Sequence, residues 1–169
     1  MDNFLSCLSF TLEMEGGYTN NPDDPGNWTG GRIKVGQLRG TKCGISAASY
    51  PALDIQNLSL EAIKDIYYKD YFMLIHGDKL QLPLAMVAFD AAVNAGVKKS
   101  IVWLQQSLKL QEDGICGPQT LSALMSGNPL EISREALARR LDFYMRSRGW
   151  DIFGLGWAGR VIKLAQAIV

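Results

Sequence analysis

Pro83-Leu-Ala-Met-Val-Ala-Phe-Asp-Ala-Ala-Val-Asn-Ala95 is the most apolar run of the chain. Its small residues suit a central helix that is buried on all sides, and Gly96 closes it. Helical signals continue outward in both directions. Downstream, Ile101, Val102, Leu104, Leu108 and Leu110 give an amphipathic helix over 98–110. Asp113-Gly114 and Gly117-Pro118 mark a tight turn, and Pro118 fits the first turn of a helix reaching Met125. Helices over 130–148 and 157–168 follow, the first ending near Gly149. Upstream, Ser59 opens a helix carrying Leu60, Ile63, Ile66, Tyr67 and Phe72, and a short helix over 46–50 stops at Pro51. Phe4, Leu5, Leu8 and Leu12 make an N-terminal helix over 3–15, stopped by Gly16-Gly17. Only residues 18–45, rich in Gly, Asn, Asp and Pro, break the pattern. The expectation is a mainly α chain with a long irregular loop or a short hairpin (Arg32–Ile45, with Ile33, Val35 and Leu38) in that region.

The chain has 169 residues, 47% of them hydrophobic and 20% charged, which suits one globular domain with a real core. Seventeen basic and seventeen acidic residues cancel, so no basic excess points to nucleic acid or an anionic membrane. No segment reaches ~18 uninterrupted apolar residues, so stable membrane association is not expected. Three cysteines (Cys7, Cys43, Cys116) and a single histidine, His76, offer neither a disulfide framework nor a metal-binding spacing. No metal or cofactor is expected.

The chemistry concentrates in Glu13-Met-Glu-Gly-Gly-Tyr-Thr-Asn-Asn-Pro-Asp-Asp-Pro-Gly26. Cleaving a glycosidic bond needs a carboxylic acid that protonates the leaving oxygen. Glu15, at the lip of a helix and followed by two glycines, is placed for that, with room for a bulky polysaccharide, although from spacing alone it reads first as a solvated helix-end glutamate. Glu13 lies on nearly the opposite helix face and is expected to be exposed or structural. A second group must stabilise the transition state or activate water. Asp24 and Asp23 are the candidates, although aspartates before Pro and Gly also serve simply as turn formers. Tyr18 offers a flat face for a sugar ring, and Trp28, in a polar loop, is a second sugar contact.

This cluster resembles the glycoside hydrolase family 108 lysozymes. Glu15-Gly-Gly-Tyr18 and Asn21-Pro-Asp-Asp-Pro-Gly26 match its E-G-G-Y and N-x-x-D-D-P-G elements, and Thr41-Lys-Cys-Gly-Ile-Ser46 is similar to its T-N-x-G-I-T element. Residues 28–40 look inserted before Thr41, which leaves Thr29 as a rival for the threonine role. Phe89-Asp-Ala-Ala-Val-Asn-Ala-Gly96 with Trp103-Leu-Gln-Gln106 resembles a further family segment, in which Asn94 and Gln105 would bind substrate. Asp113-Gly-Ile-Cys-Gly-Pro-Gln-Thr120 is similar to a turn of small peptidoglycan-binding modules, and Phe153-Gly-Leu-Gly-Trp157 with Arg160 extends that likeness.

The resemblance implies a lysozyme-like helical fold, with 1–96 as the catalytic region and 97–169 as a peptidoglycan-binding-like region packed into one compact unit. The activity implied is N-acetylmuramidase, with Glu15 as the catalytic acid. Asn21, Thr41 and Ser46 join Tyr18 and Trp28 as implied substrate contacts. The rival readings are a lytic transglycosylase using Glu15 alone, and a non-catalytic wall-binding or secretion-associated protein. The partner expected is peptidoglycan, met by a monomer. The first residues lack the charged n-region of a signal peptide. Synthesis in the cytoplasm, with release by a separate pore or export system, is therefore expected.

Overall fold

The computed structural model describes residues 3–169. The fold is mainly α and lysozyme-like, with seven α-helices among the described residues and one small sheet. The chain gathers into two compact units, Leu8–Tyr67 and a second made of residues 3–7 with Tyr68–Val169. Helix α1 (Asn3–Met14) starts in the second unit and ends in the first.

The first unit holds a three-stranded antiparallel sheet of two-residue strands, β1 (Tyr18–Thr19), β2 (Thr41–Lys42) and β3 (Ile45–Ser46), in that order. The inserted residues form a hairpin-like excursion. Trp28 bridges Leu38, and the Thr29 amide donates to the Gln37 carbonyl at 2.9 Å. Of the span expected as a hairpin, 32–45, only Thr41–Lys42 and Ile45 lie in strands, while Ile33, Val35 and Leu38 fall outside them. The helix expected over 46–50 is absent. Ser46 ends β3, and the amides of Ser49 and Tyr50 both turn back onto its carbonyl. Burial of Ile45 and Ala47 holds this segment to the sheet, and Pro51 leaves too few residues for a helix. Helix α2 (Leu60–Tyr67) closes the unit and buries Ile63 and Tyr67.

The second unit is built round α3 (Leu82–Ala95), where every residue from Leu84 to Ala92 is buried. It packs against α4 (Val97–Ser107), α6 (Pro129–Met145) and α7 (Trp150–Ala167), and α5 (Pro118–Ser126) packs on α6. This packing keeps residues 82–95 with the C-terminal helices. Phe4, Phe72 and Phe89 meet in edge-on and tilted pairs 5.2–6.1 Å apart. The α-helical pattern of 59–72 stops at Tyr67 and passes into a π-helical turn (Tyr68–Phe72). Helix α7 begins seven residues before the expected start at 157. Its glycines look like breakers, yet Gly154 is needed there. A Cβ on it would come within 2.6 Å of the Trp150 ring.

Asp90, the one acid in the apolar run, is 1% exposed and gathers two guanidiniums. Arg140 of α6 reaches it at 2.6 Å and Arg160 of α7 at 2.8 Å. Buried carboxylate and guanidinium groups persist only when paired in this way.

Candidate active site

The end of α1 and the turn between β2 and β3 position Glu15. Its amide donates to the Thr11 carbonyl at 3.1 Å, so the helical hydrogen-bond pattern just reaches it. The side chain is half-buried, whereas Glu13 is exposed, as expected of the opposite face. Cys43 and Gly44 make the β2–β3 turn with φ of 48° and 75°. Gly44 lacks the atom that would obstruct the site. A Cβ there would lie 3.0 Å from Glu15 Oε2 and 3.0 Å from the Tyr67 hydroxyl. The carboxyl therefore sits over bare backbone, beside a phenol. That phenol is fixed, because Tyr67 is buried and donates to the Cys43 carbonyl at 2.5 Å.

The loop after β1 is organised by its own side chains. Asn21 Oδ1 accepts from the Asp23 amide at 3.1 Å, and Asp24 Oδ1 accepts from the Gly26 amide at 2.8 Å, capping a 3₁₀ turn (Pro25–Asn27). Asp23 and Asp24 are both exposed. A Cβ on Gly26 would stand 3.2 Å from Asp24 Oδ1 and 3.9 Å from Ser46 Cβ, so these two expected site residues are neighbours. Trp28 is half-buried and its indole N–H donates to the Pro22 carbonyl at 2.8 Å, which ties the ring to the loop. Thr29 caps the inserted excursion by accepting from the Gln37 amide at 2.9 Å.

Thr41 does something different. Its hydroxyl donates to Asn27 Oδ1 at 2.7 Å. Asn27 is fully buried, donates to the Asn21 carbonyl at 3.0 Å, and its own carbonyl accepts from the amides of Arg39 and Gly40. It is the hub joining the Asp23-Asp24 loop to β2, and sequence reasoning missed it. An asparagine among glycines, prolines and aspartates carries no local sign that it will be buried.

The strand register separates the expected contacts. Thr19, Thr41 and Ser46 are paired across the sheet, as are Tyr18, Lys42 and Ile45. Side chains alternate along a strand, so Tyr18 lies on the opposite face from Thr41 and Ser46.

Asn94 and Gln105 belong to the second unit. Asn94 Oδ1 accepts a short hydrogen bond from the Tyr144 hydroxyl, which also accepts from Arg140 Nε at 2.9 Å. Gln105 is 1% exposed. Its amide nitrogen donates to Asp113 Oδ1, the Ile115 carbonyl and Thr120 Oγ1, and its oxygen accepts from the Gly114 amide. In this structure Gln105 anchors the 113–120 turn. Its amide, with the Ile115 N–H, holds the Asp113 carboxyl below its ordinary value of 3.8. Among the described residues the three cysteines form no disulfide, and burial pushes the Cys116 thiol up. Among the described residues no cluster of His, Cys, Asp or Glu could hold a metal ion, and no helix is long and apolar enough to cross a membrane.

The family model described as Glycosyl hydrolase 108 matches residues 8–96, just over half of the chain. The chain belongs to that family. The matched segment contains Glu15, Asp23, Asp24, Thr41, Ser46 and Asn94. A search of curated proteins finds no match. Among solved structures, one titled "Structure of Brucella abortus SagA" superposes with a TM-score of 0.81 at 25% identity, covering 98% of this chain and 92% of that one. Membership of glycosyl hydrolase family 108 makes the protein a glycoside hydrolase, and its substrate a glycan.

Proposed function

We propose that this family 108 hydrolase is an N-acetylmuramidase. It cleaves the β-1,4 bond between N-acetylmuramic acid and N-acetylglucosamine in peptidoglycan, with Glu15 as general acid. One observation carries the reading: the Glu15 carboxyl is half-buried over Gly44 and beside the fixed Tyr67 hydroxyl. A proton donor must be held firmly and still reach a glycosidic oxygen, and such a seat meets both needs. Asp24 is the proposed second carboxylate, on the same loop as Asp23 and beside Ser46. Asn21 and Thr41 act by holding that loop, through Asp23 and Asn27.

Residues 97–169 are proposed to bind the wall. A surface groove of about 630 Å³ between α4 and α6, with Trp103, Phe143, Lys99, Gln106 and Arg139 among its lining residues, supports this.

One feature favours a second reading. Asp24 Oδ1 is already engaged with the Gly26 amide, and a lytic transglycosylase would need Glu15 alone. Turbidity clearing of purified sacculi by wild type and Glu15→Gln, with mass analysis of the products, tests both. The muramidase reading expects reducing muramic acid ends and loss of clearing in Glu15→Gln. Anhydro ends would replace it with the transglycosylase. Equal clearing by the variant would remove Glu15 from the chemistry.

A further inference from the structure

The Leu8–Tyr67 unit contains a groove of about 380 Å³ lined by Tyr18, Leu38, Arg39, Ala52, Asp54 and Gln56. Glu15 is not among its lining residues, and Tyr18 lies on the sheet face away from Thr41 and Ser46. Hydrogen bonds tie the walls together. The Tyr18 ring is set against Gly40, where a Cβ would come within 2.6 Å of it, and its hydroxyl donates to the Arg39 carbonyl at 3.3 Å. The Arg39 guanidinium is tied to Gln37 Oε1 at 2.9 Å and to the carbonyls of Pro51 and Leu53 at 3.1 and 3.4 Å. Lys42 clamps the carbonyls of Gln56 and Leu58 at 3.0 and 2.8 Å. Asn57 donates to both carboxylate oxygens of Asp54.

The groove's chemistry selects its ligand. Asp54 offsets part of the charge of Arg39 and Lys42, and the hydrogen bond from Asn57 holds its carboxyl below the ordinary value, with Arg39 and Lys42 contributing in the same direction. Those two cations in turn make the groove a poor seat for a positive ligand. A half-exposed ring edge and leucine, beside an exposed carboxylate and amide, suit a neutral ring that carries hydroxyl and amide donors. The volume falls in the range of small-ligand sites.

We propose that this groove is a second carbohydrate site, which takes one pyranose of an N-acetylated amino-sugar strand at a place separate from Glu15. The sugar class rests on the wall-glycan reading above. By holding another sugar of the same insoluble strand, the site would raise activity on whole sacculi without touching the chemical step.

The test separates binding from catalysis. Chitotetraose is titrated into Glu15→Gln protein and followed by NMR, alone and with Gln56→Ala or Asp54→Asn added. Both added changes are at exposed positions, and circular dichroism checks the fold. Shifts at Tyr18 and Gln56, with binding weakened about tenfold by Gln56→Ala, are expected. In otherwise wild-type enzyme, Gln56→Ala should slow sacculus clearing several-fold and leave turnover of a short soluble glycan fragment unchanged. Absence of shifts at the groove, or an equal loss on short and long substrates, overturns the proposal. Clearing retained by Glu15→Gln would instead defeat the catalytic assignment and leave the titration result standing.

Discussion

At the scale of the residue, the site depends on what Gly44 lacks as much as on what Glu15 carries. Removing the proton from a general acid typically costs about 10²–10⁴-fold in rate, and Glu15→Gln should lose that much clearing activity with its melting temperature nearly unchanged. Gly44→Ala is the sharper probe. It puts a Cβ at φ 75° and 3.0 Å from Glu15 Oε2. Such a left-handed residue costs roughly 1–3 kcal/mol. Displacing an acid by about 1 Å can cost ~10²-fold. Sacculus clearing is therefore expected to fall far more than thermal stability. A variant that clears walls at the wild-type rate would show that the Gly44 seat is immaterial. E-G-G-Y singled out Glu15 as the candidate acid, whereas Gly44 and Tyr67, which sit beside it, lie 29 and 52 residues further on and are joined to it only by folding.

At the scale of the element, the 113–120 turn is held by one buried amide. Gln105→Ala would strip Asp113, Gly114 and Thr120 of their shared partner. Leaving buried polar groups unsatisfied costs about 1–3 kcal/mol, so chemical denaturation should show a loss of that size. The same contact sets a pH dependence. The Asp113 carboxyl is held below its ordinary value of 3.8 in the folded chain. Its contribution to stability is thus present above 3.8 and is lost as pH falls through the lower folded value. Hydrogen exchange at the Gly114 and Ile115 amides, compared at matched intrinsic rates, should show opening only below about pH 4. An Asp113→Asn variant should lack this acid step. The turn residues themselves were legible as turn formers. The anchoring contacts of Gln105 are not legible in the sequence, because an i-to-i+8 link from a helix to a following loop has no periodic signature.

At the scale of the molecule, Asp90 ties three helices of the second unit together. It joins α3 to Arg140 of α6 and Arg160 of α7, far apart in sequence and both buried. Removing one partner of a buried ion pair costs about 3–5 kcal/mol, and here two guanidiniums would lose their carboxylate. Asp90→Ala should lower the melting temperature by roughly 10 °C and leave the identity of the cleavage products unchanged. A stable Asp90→Ala protein would show that α3, α6 and α7 are held by apolar packing alone.

Local pattern determined much of this protein. Apolar periodicity gave most of the helices, and an ordered series of short motifs gave the family, because both depend on neighbours along the chain. Strand register and the burial of polar side chains were beyond its reach. The two-residue strands are too short to show alternation, so nothing local put Tyr18 on one sheet face and Thr41 on the other. Nor could any local signal make Asn27 a buried hub or turn Asp90, within an apolar helix, into the acceptor for two distant arginines. Those outcomes belong to the tertiary structure, since the desolvation of a polar group and the partner that compensates it come from segments that meet only in the fold.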